Sequence, residues 1–155
     1  MFPIVAIKTK PPMCFSQDIC NYTEVGRKKI HDKLQSTDLN LLDYLMKNPI
    51  KNHSAEYNDN RISLYVGQNG KCFVSGERLK IGAMHAHHKK PKHLGGTDEY
   101  GNLTFLTGDI HTLVHATKET TIYALLRKLS KTVIEFSRLN KLRVLAGNSE
   151  INVNK

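Results

Sequence analysis

Histidine placement constrains this chain more than any other feature. Six of its eight histidines fall between His85 and His115, and they are ordered: His87 and His88 are adjacent, while His111 and His115 are four apart. A helix is expected to begin near Gly108-Asp109 with Asp109 as its N-cap, so both later imidazoles project from one face, as a metal pair requires. Before that helix, Leu103-Thr104-Phe105-Leu106 reads as an apolar strand and Met84–His87 as an extended segment. The Pro/Gly-rich stretch Pro91–Gly101 separates the two as a loop. On an extended chain neighbouring side chains point to opposite sides. One of His87 and His88 can therefore join the helix pair on a cation while the other faces a substrate. The centre reads strand, loop, strand, helix, which makes the chain α+β.

Charge runs the opposite way to histidine. Residues 1–83 carry 12 basic and 8 acidic side chains, residues 84–115 three of each, and residues 116–155 eight basic and three acidic. Of a net +9, therefore, nothing comes from the histidine-rich centre. Neutral imidazole binds a divalent ion without adding negative charge, so a phosphodiester can approach such an ion without meeting a wall of carboxylates. Basic flanks favour a polyanionic partner such as nucleic acid. Lys89, Lys90 and Lys92 beside the histidines, and Lys128 and Lys131 further on, are the candidates to grip phosphates.

Length and cysteine usage bound the rest. At roughly 100–200 residues per domain, 155 residues make one domain or a small domain with arms, too short for a polymerase. No apolar run approaches the roughly 20 residues of a membrane helix, and Ile4-Val5-Ala6-Ile7 is too short for a signal-peptide core. The chain reads as cytoplasmic. Cys14, Cys20 and Cys72 form neither a disulfide framework nor a Cys-x-x-Cys pair. With no Trp, the core must rest on Leu, Ile and Val.

Turn and cap signals set the expected elements around the centre. Met1–Asn21 reads as an irregular arm, and Thr23 can cap a short helix through Gln35. A clearer helix starts at Thr37, with Leu39, Leu42, Leu45 and Met46 as its stripe and Asn48-Pro49 as its end. Lys51–Asn58 reads as linker, Asp59–Gln68 as a helix stopped by Asn69-Gly70, and Lys71–Val74 as extended. Thr121–Ala146 reads as one long amphipathic helix, with Ile122, Leu125, Leu126, Leu129, Val133 and Phe136 as its stripe. The expected division is residues 1–57 as a basic region and 58–155 as the metal-site domain.

His87-His88, Lys89-Lys90-Pro91, Gly95-Gly96, Asn102-Leu103 and His111-x-x-x-His115 together resemble the HNH nuclease motif, whose core is the ββα-metal (His-Me finger) fold. The resemblance spans Lys71 to His115. It implies His88 as general base, His87, His111 and His115 as metal ligands, and Asn102 as the residue that steadies the loop and the base. A wider resemblance links Cys14-Phe-Ser, Cys20-Asn-Tyr-Thr-Glu-Val-Gly-Arg-Lys-Lys-Ile, Tyr65-Val-Gly-Gln-Asn-Gly-Lys-Cys72 and His115-Ala-Thr to the C-terminal part of group II intron-encoded reverse transcriptase/maturases. In those proteins a maturase or DNA-binding region precedes an HNH endonuclease domain. Two departures stand out. Cys72-Phe-Val-Ser75 has one cysteine of a first Cys-x-x-Cys pair, and Leu106-Thr-Gly-Asp has none of a second. There is also no Tyr-x-Asp-Asp, so reverse transcription by this chain is excluded, and it reads as a freestanding or truncated endonuclease portion.

The expectation is a metal-dependent endonuclease that hydrolyses DNA, associated with a group II intron or similar mobile element. It would use one divalent ion, Mg first, with Mn, Ni or Zn as alternatives. Partners would be DNA, with intron RNA and a reverse transcriptase/maturase beyond it, and no membrane. Two rivals stand beside it: a non-catalytic nucleic-acid-binding module ordered by a structural metal, and an intron-RNA-binding maturase fragment.

Overall fold

The computed structural model describes residues 37–152. The expected arm at Met1–Asn21, the helix at Thr23–Gln35, Cys14 and Cys20 lie outside the described residues. Helix α1, Leu39–Lys47, is capped by Asp38, whose Oδ1 accepts from Asn40 N at 2.9 Å. Such a cap satisfies one of the orphan amides of a first turn. The helix buries Leu41 and Leu45, one turn apart, with Leu42 beside them, while Leu39 and Met46 face outward. The expected stripe is corrected accordingly. In a run this rich in leucine, the neighbour decides which stripe is covered, and the neighbour is α2, Ala55–Gly67.

Ser54 caps α2, so the helix begins inside the segment expected to be linker. Tyr57, Leu64 and Tyr65 bury one face, and Asn69 and Gly70 stop the helix with positive φ of 52° and 66°. Helix α1 packs on α2, which in turn packs on the sheet that carries His87.

The sheet has two strands, β1 (Met84–His88) and β2 (Leu103–Thr107), paired antiparallel with His87 opposite Thr104 and His88 opposite Leu103. A two-stranded hairpin is marginal alone and needs a covering layer. Here β2 is buried along its length, and its outer edge is closed by a side chain. Gln68 Oε1 accepts from Phe105 N (2.8 Å) and Thr104 Oγ1 (3.1 Å), and its Nε2 donates to Phe105 O (3.1 Å). One amide thus does what a third strand would do for an open edge. Lys71–Val74, expected to be extended, instead enters a tight turn with only an isolated bridge from Lys71 to Arg78. Cys72, buried there, accepts from Thr107 N through its sulfur (3.5 Å).

Strand β2 passes into α3, Gly108–His115, with no intervening loop. Thr107 is the N-cap, and Asp109 lies inside the first turn with its carboxylate 2.7 Å from Lys128 Nζ. Asp109 therefore favours the helix through the dipole rather than as the cap. Ile110, Leu113 and Val114 are fully buried against Leu103, Phe105, Leu106 and Leu139.

The long C-terminal helix is two helices, α4 (Glu119–Lys128) and α5 (Phe136–Leu145). Ser130, Thr132, Val133 and Ile134 are poor helix formers, and other bonds claim the break. Thr132 Oγ1 donates to Glu77 (2.9 Å), and Glu135 N donates to Val74 O (3.2 Å). Val133, expected on the buried stripe, is 83% exposed. Among the described residues, no helix is long and apolar enough to cross a membrane.

Candidate metal centre

His87 leaves β1 on the face covered by α3, and α3 presents His111 and His115 one turn apart toward it. Their ligand atoms all lie within 4.8 Å of one another, so the three histidines could hold a metal ion. The rings meet edge to face, with centroids 4.9–5.3 Å apart and planes 65–74° apart. Nitrogen atoms converge: His87 Nδ1 lies 3.4 Å from His115 Nε2. Arg143, buried on α5, holds the far end of α3 in place. Its Nη1 donates to the Leu113 and Val114 carbonyls, its Nε to Ser149 O (2.7 Å), and Asn148 adds a bond to Val114 O (3.0 Å). The last carbonyls of a helix otherwise have no partner.

Burial sets the charge state. It pushes the His87 imidazole down to about 3, helped by His111, His115 and His88, and His111 down to about 4, helped by His115 and His85. His115 is lowered too, first by burial and then by Arg143. All three rings are therefore neutral near pH 7, with lone pairs available, which is the state a metal ligand must reach. His87 Nε2 is buried with no hydrogen-bond partner. An orphaned polar atom of that kind costs about 1–3 kcal/mol. The donor set fits a borderline divalent ion. Exposure rises from His87 (3%) through half-buried His111 to exposed His115, leaving an open side. Three ligands with an open side is the pattern of metal sites that admit water or substrate.

His88 points elsewhere. Its Nε2 lies 2.8 Å from Asp98 Oδ1, and its ring stacks on Tyr57 at 5.3 Å and 13°. Tyr57 is itself backed by His53 at 4.1 Å, and its hydroxyl donates to Ala86 O (3.0 Å). Asp98 also accepts from Ser54 Oγ (2.7 Å) and Lys92 Nζ (2.8 Å), while Asn60 Nδ2 donates to its carbonyl (2.8 Å). The Lys92 and His88 bonds hold its carboxyl well below the usual carboxylate range.

Asn102 stitches the loop between the strands. Its Oδ1 accepts from Lys90 N (2.9 Å), and its Nδ2 donates to Lys90 O (3.0 Å) and Thr97 O (2.8 Å). The paired glycines follow from this closeness. Gly95 takes φ 84°, and a Cβ on Gly96 would lie 1.8 Å from Lys90 O.

Three of the five lysines expected to grip phosphates are already engaged. Lys92 is paired with Asp98 and Lys128 with Asp109, while Lys89 Nζ donates to Gly101 O (2.7 Å) above the Phe73 ring. Lys90 and Lys131 stand exposed. The sequence reading missed Asp98, Tyr57, Ser54 and Arg143, which support the histidines, and also His85. The His85 ring stacks on His111 at 4.7 Å and 11°. It lines a cleft of about 680 Å3 with Arg78, Lys80, Asp109 and Lys128. His85 lies two residues before His87, on the same face of β1, and that spacing was the available signal. Compared with family models, curated proteins and solved structures, the chain matches none.

Proposed function

We propose that this protein is a metal-dependent endonuclease of the HNH class that hydrolyses DNA phosphodiester bonds, with β1, β2 and α3 as its ββα-metal core. The observation that carries the reading is the division of labour between adjacent residues. His87 joins His111 and His115 in a neutral cluster with an open side, while His88 is held by separate partners. Bound there, a divalent ion would supply Lewis-acid stabilisation of the phosphoryl oxygen and the leaving 3′-oxygen; the three imidazoles suit Zn, Ni or Mn, and Mg only where water and phosphate oxygens complete its shell.

The protein's own residues do the rest. His88 accepts the proton of the attacking water, a task an imidazole performs near neutral pH. Asn102 keeps the loop from Lys90 to Thr97 in one shape beside it. Lys90 and Lys131 offer exposed charge to flanking phosphates, which position a duplex without reading its sequence. The wider likeness to the endonuclease portion of group II intron maturases gives the setting: a mobile element, with intron RNA and a reverse transcriptase as further partners.

One observation favours a second reading. The His88–Asp98 pair is a complete hydrogen-bonded contact, which a structural metal module could use simply to close its loop. Plasmid nicking with and without a divalent ion separates the two. Under the nuclease reading cutting needs the ion, and His88→Ala lowers it by about 10²–10⁴, the usual contribution of a positioned base. One ion per chain is bound, and it is lost on His111→Ala. Equal cutting by wild type and His88→Ala refutes the assignment.

A further inference from the structure

We propose that Asp98 is the positioning residue for His88, fixing the ring as the tautomer with hydrogen on Nε2 and so making Nδ1 the atom that takes the water proton. The assignment of Nδ1 as proton acceptor rests on the nuclease reading above; the tautomer does not.

The Asp98 carboxylate decides which ring nitrogen carries the hydrogen. Its two oxygens have different work: Oδ2 takes Ser54 Oγ at 2.7 Å and Lys92 Nζ at 2.8 Å, while Oδ1 takes His88 Nε2 at 2.8 Å. A lysine ammonium can only donate, and an ionised carboxylate can only accept. The nitrogen facing Oδ1 must therefore carry the hydrogen. In a neutral imidazole the other nitrogen is then the lone-pair atom. No protein group among the described residues bonds Nδ1. A half-turn of the ring would put a carbon where Nε2 stands and lose this bond, and the plane of the ring is held by stacking on Tyr57, whose hydroxyl is pinned to Ala86 O. Asp98 is fixed in turn, because its side chain is 11% exposed and its carbonyl is held by Asn60. Orientation thus passes from α2, through Ser54 and Asn60, into Asp98, and from there to His88.

The attacking water gives one proton to His88 Nδ1 while its oxygen bonds to phosphorus. The bond from phosphorus to the 3′-oxygen breaks, its electron pair stays on that oxygen, and the oxygen takes a proton from solvent. Nε2–H remains on the ring throughout, donated to Asp98, and Nδ1 afterwards returns its proton to solvent. A fixed tautomer matters for such a base because a ring in the wrong form presents N–H where a lone pair is needed.

The test is 15N NMR of the histidine rings in the full chain with Mg2+, beside steady-state plasmid cleavage. In wild type, His88 should show a pyrrole-type Nε2 and a pyridine-type Nδ1. Asp98→Asn keeps the shape, but its amide can donate to Nε2. The tautomer should therefore invert, and kcat should fall by about 10²–10⁴-fold with KM unmoved. Ser54→Ala removes one bond to the same carboxylate and the cap of α2, so it should lower thermal stability and reduce kcat by less than Asp98→Asn does, with the tautomer kept because Oδ1 still accepts from Nε2. A wild-type ring with hydrogen on Nδ1 overturns the proposal, and so does Asp98→Asn with either tautomer or kcat unchanged. If Asp98→Asn does not fold, the wild-type tautomer decides. If wild type cuts no DNA, the nuclease reading and Nδ1's role as acceptor fall, while the same spectra still judge the Asp98–His88 tautomer.

Discussion

Leu103–His115 and Lys89–Asn102 adjoin in sequence and flank the same histidines, yet different forces hold them. The first is a buried strand running straight into a helix, with Leu103, Leu106, Ile110, Leu113 and Val114 wholly covered. The second is mostly exposed, and its shape comes from polar side chains: Asn102 to Lys90 and Thr97, and Asp98 to His88, Lys92 and Ser54. Apolar packing is non-directional and strong in sum, whereas single hydrogen bonds net about 0.5–1.5 kcal/mol but fix direction. The division suits the tasks. Two of the three clustered histidines stand on the packed part, where distances are set by the core. His88 belongs with the stitched loop, where a ring must point one way.

Leu106, fully buried in β2, anchors the packed half from the strand side. Leu106→Ala should cost about 2–5 kcal/mol in denaturant unfolding and weaken ion retention at the three histidines together. A loss confined to cutting, with stability intact, would show that the packed half is not what sets the cluster.

Acid should act on the same half. His87 and His111 titrate at about 3 and about 4 in the folded chain, below the ordinary 6.5. The unfolded chain therefore binds more protons across that interval, and stability is lost as pH falls through about 6.5 and on toward about 3. Denaturation midpoints of chelator-treated protein between pH 8 and pH 4 should fall along that course, and a flat profile would contradict it.

Gly96→Ala strikes the loop half alone. The added methyl meets Lys90 O, so the loop must shift at a cost of about 1–3 kcal/mol. Ion binding should survive while cutting drops, as read by metal content and nicking on one preparation. Loss of both in step would merge the two halves. The smallest effect is expected at Lys128, 64% exposed and paired with Asp109. Lys128→Ala should change stability by less than about 1 kcal/mol. It should also leave the salt dependence of DNA binding nearly as it was, whereas Lys90→Ala should lower the log–log slope by about 0.9.

The sequence made the packed half legible and the stitched half only partly so. His111 and His115 are four apart on a helix, and strand alternation separates His87 from His88, so local period alone proposes the cluster. Asp98 carries no such signal. In the run Gly95-Gly96-Thr97-Asp98 an acid reads as turn punctuation, and its partner Ser54 is 44 residues away. The break between α4 and α5 was hidden for the same reason. The apolar pattern from Ile122 to Phe136 fits one helix, and the bonds that interrupt it reach back to Val74 and Glu77. On α1, an excess of leucine left several stripes open until α2 covered one of them.

Arg143 sets how portable the centre is. The residues that spell the motif end at His115, but the carbonyls closing the helix beneath them are satisfied from Arg143 and Asn148, and Arg143 leans on Ser149. A graft cut at the motif's edge would carry every ligand and leave the bracket behind. The smallest transplantable piece runs to Ser149, well beyond the last histidine.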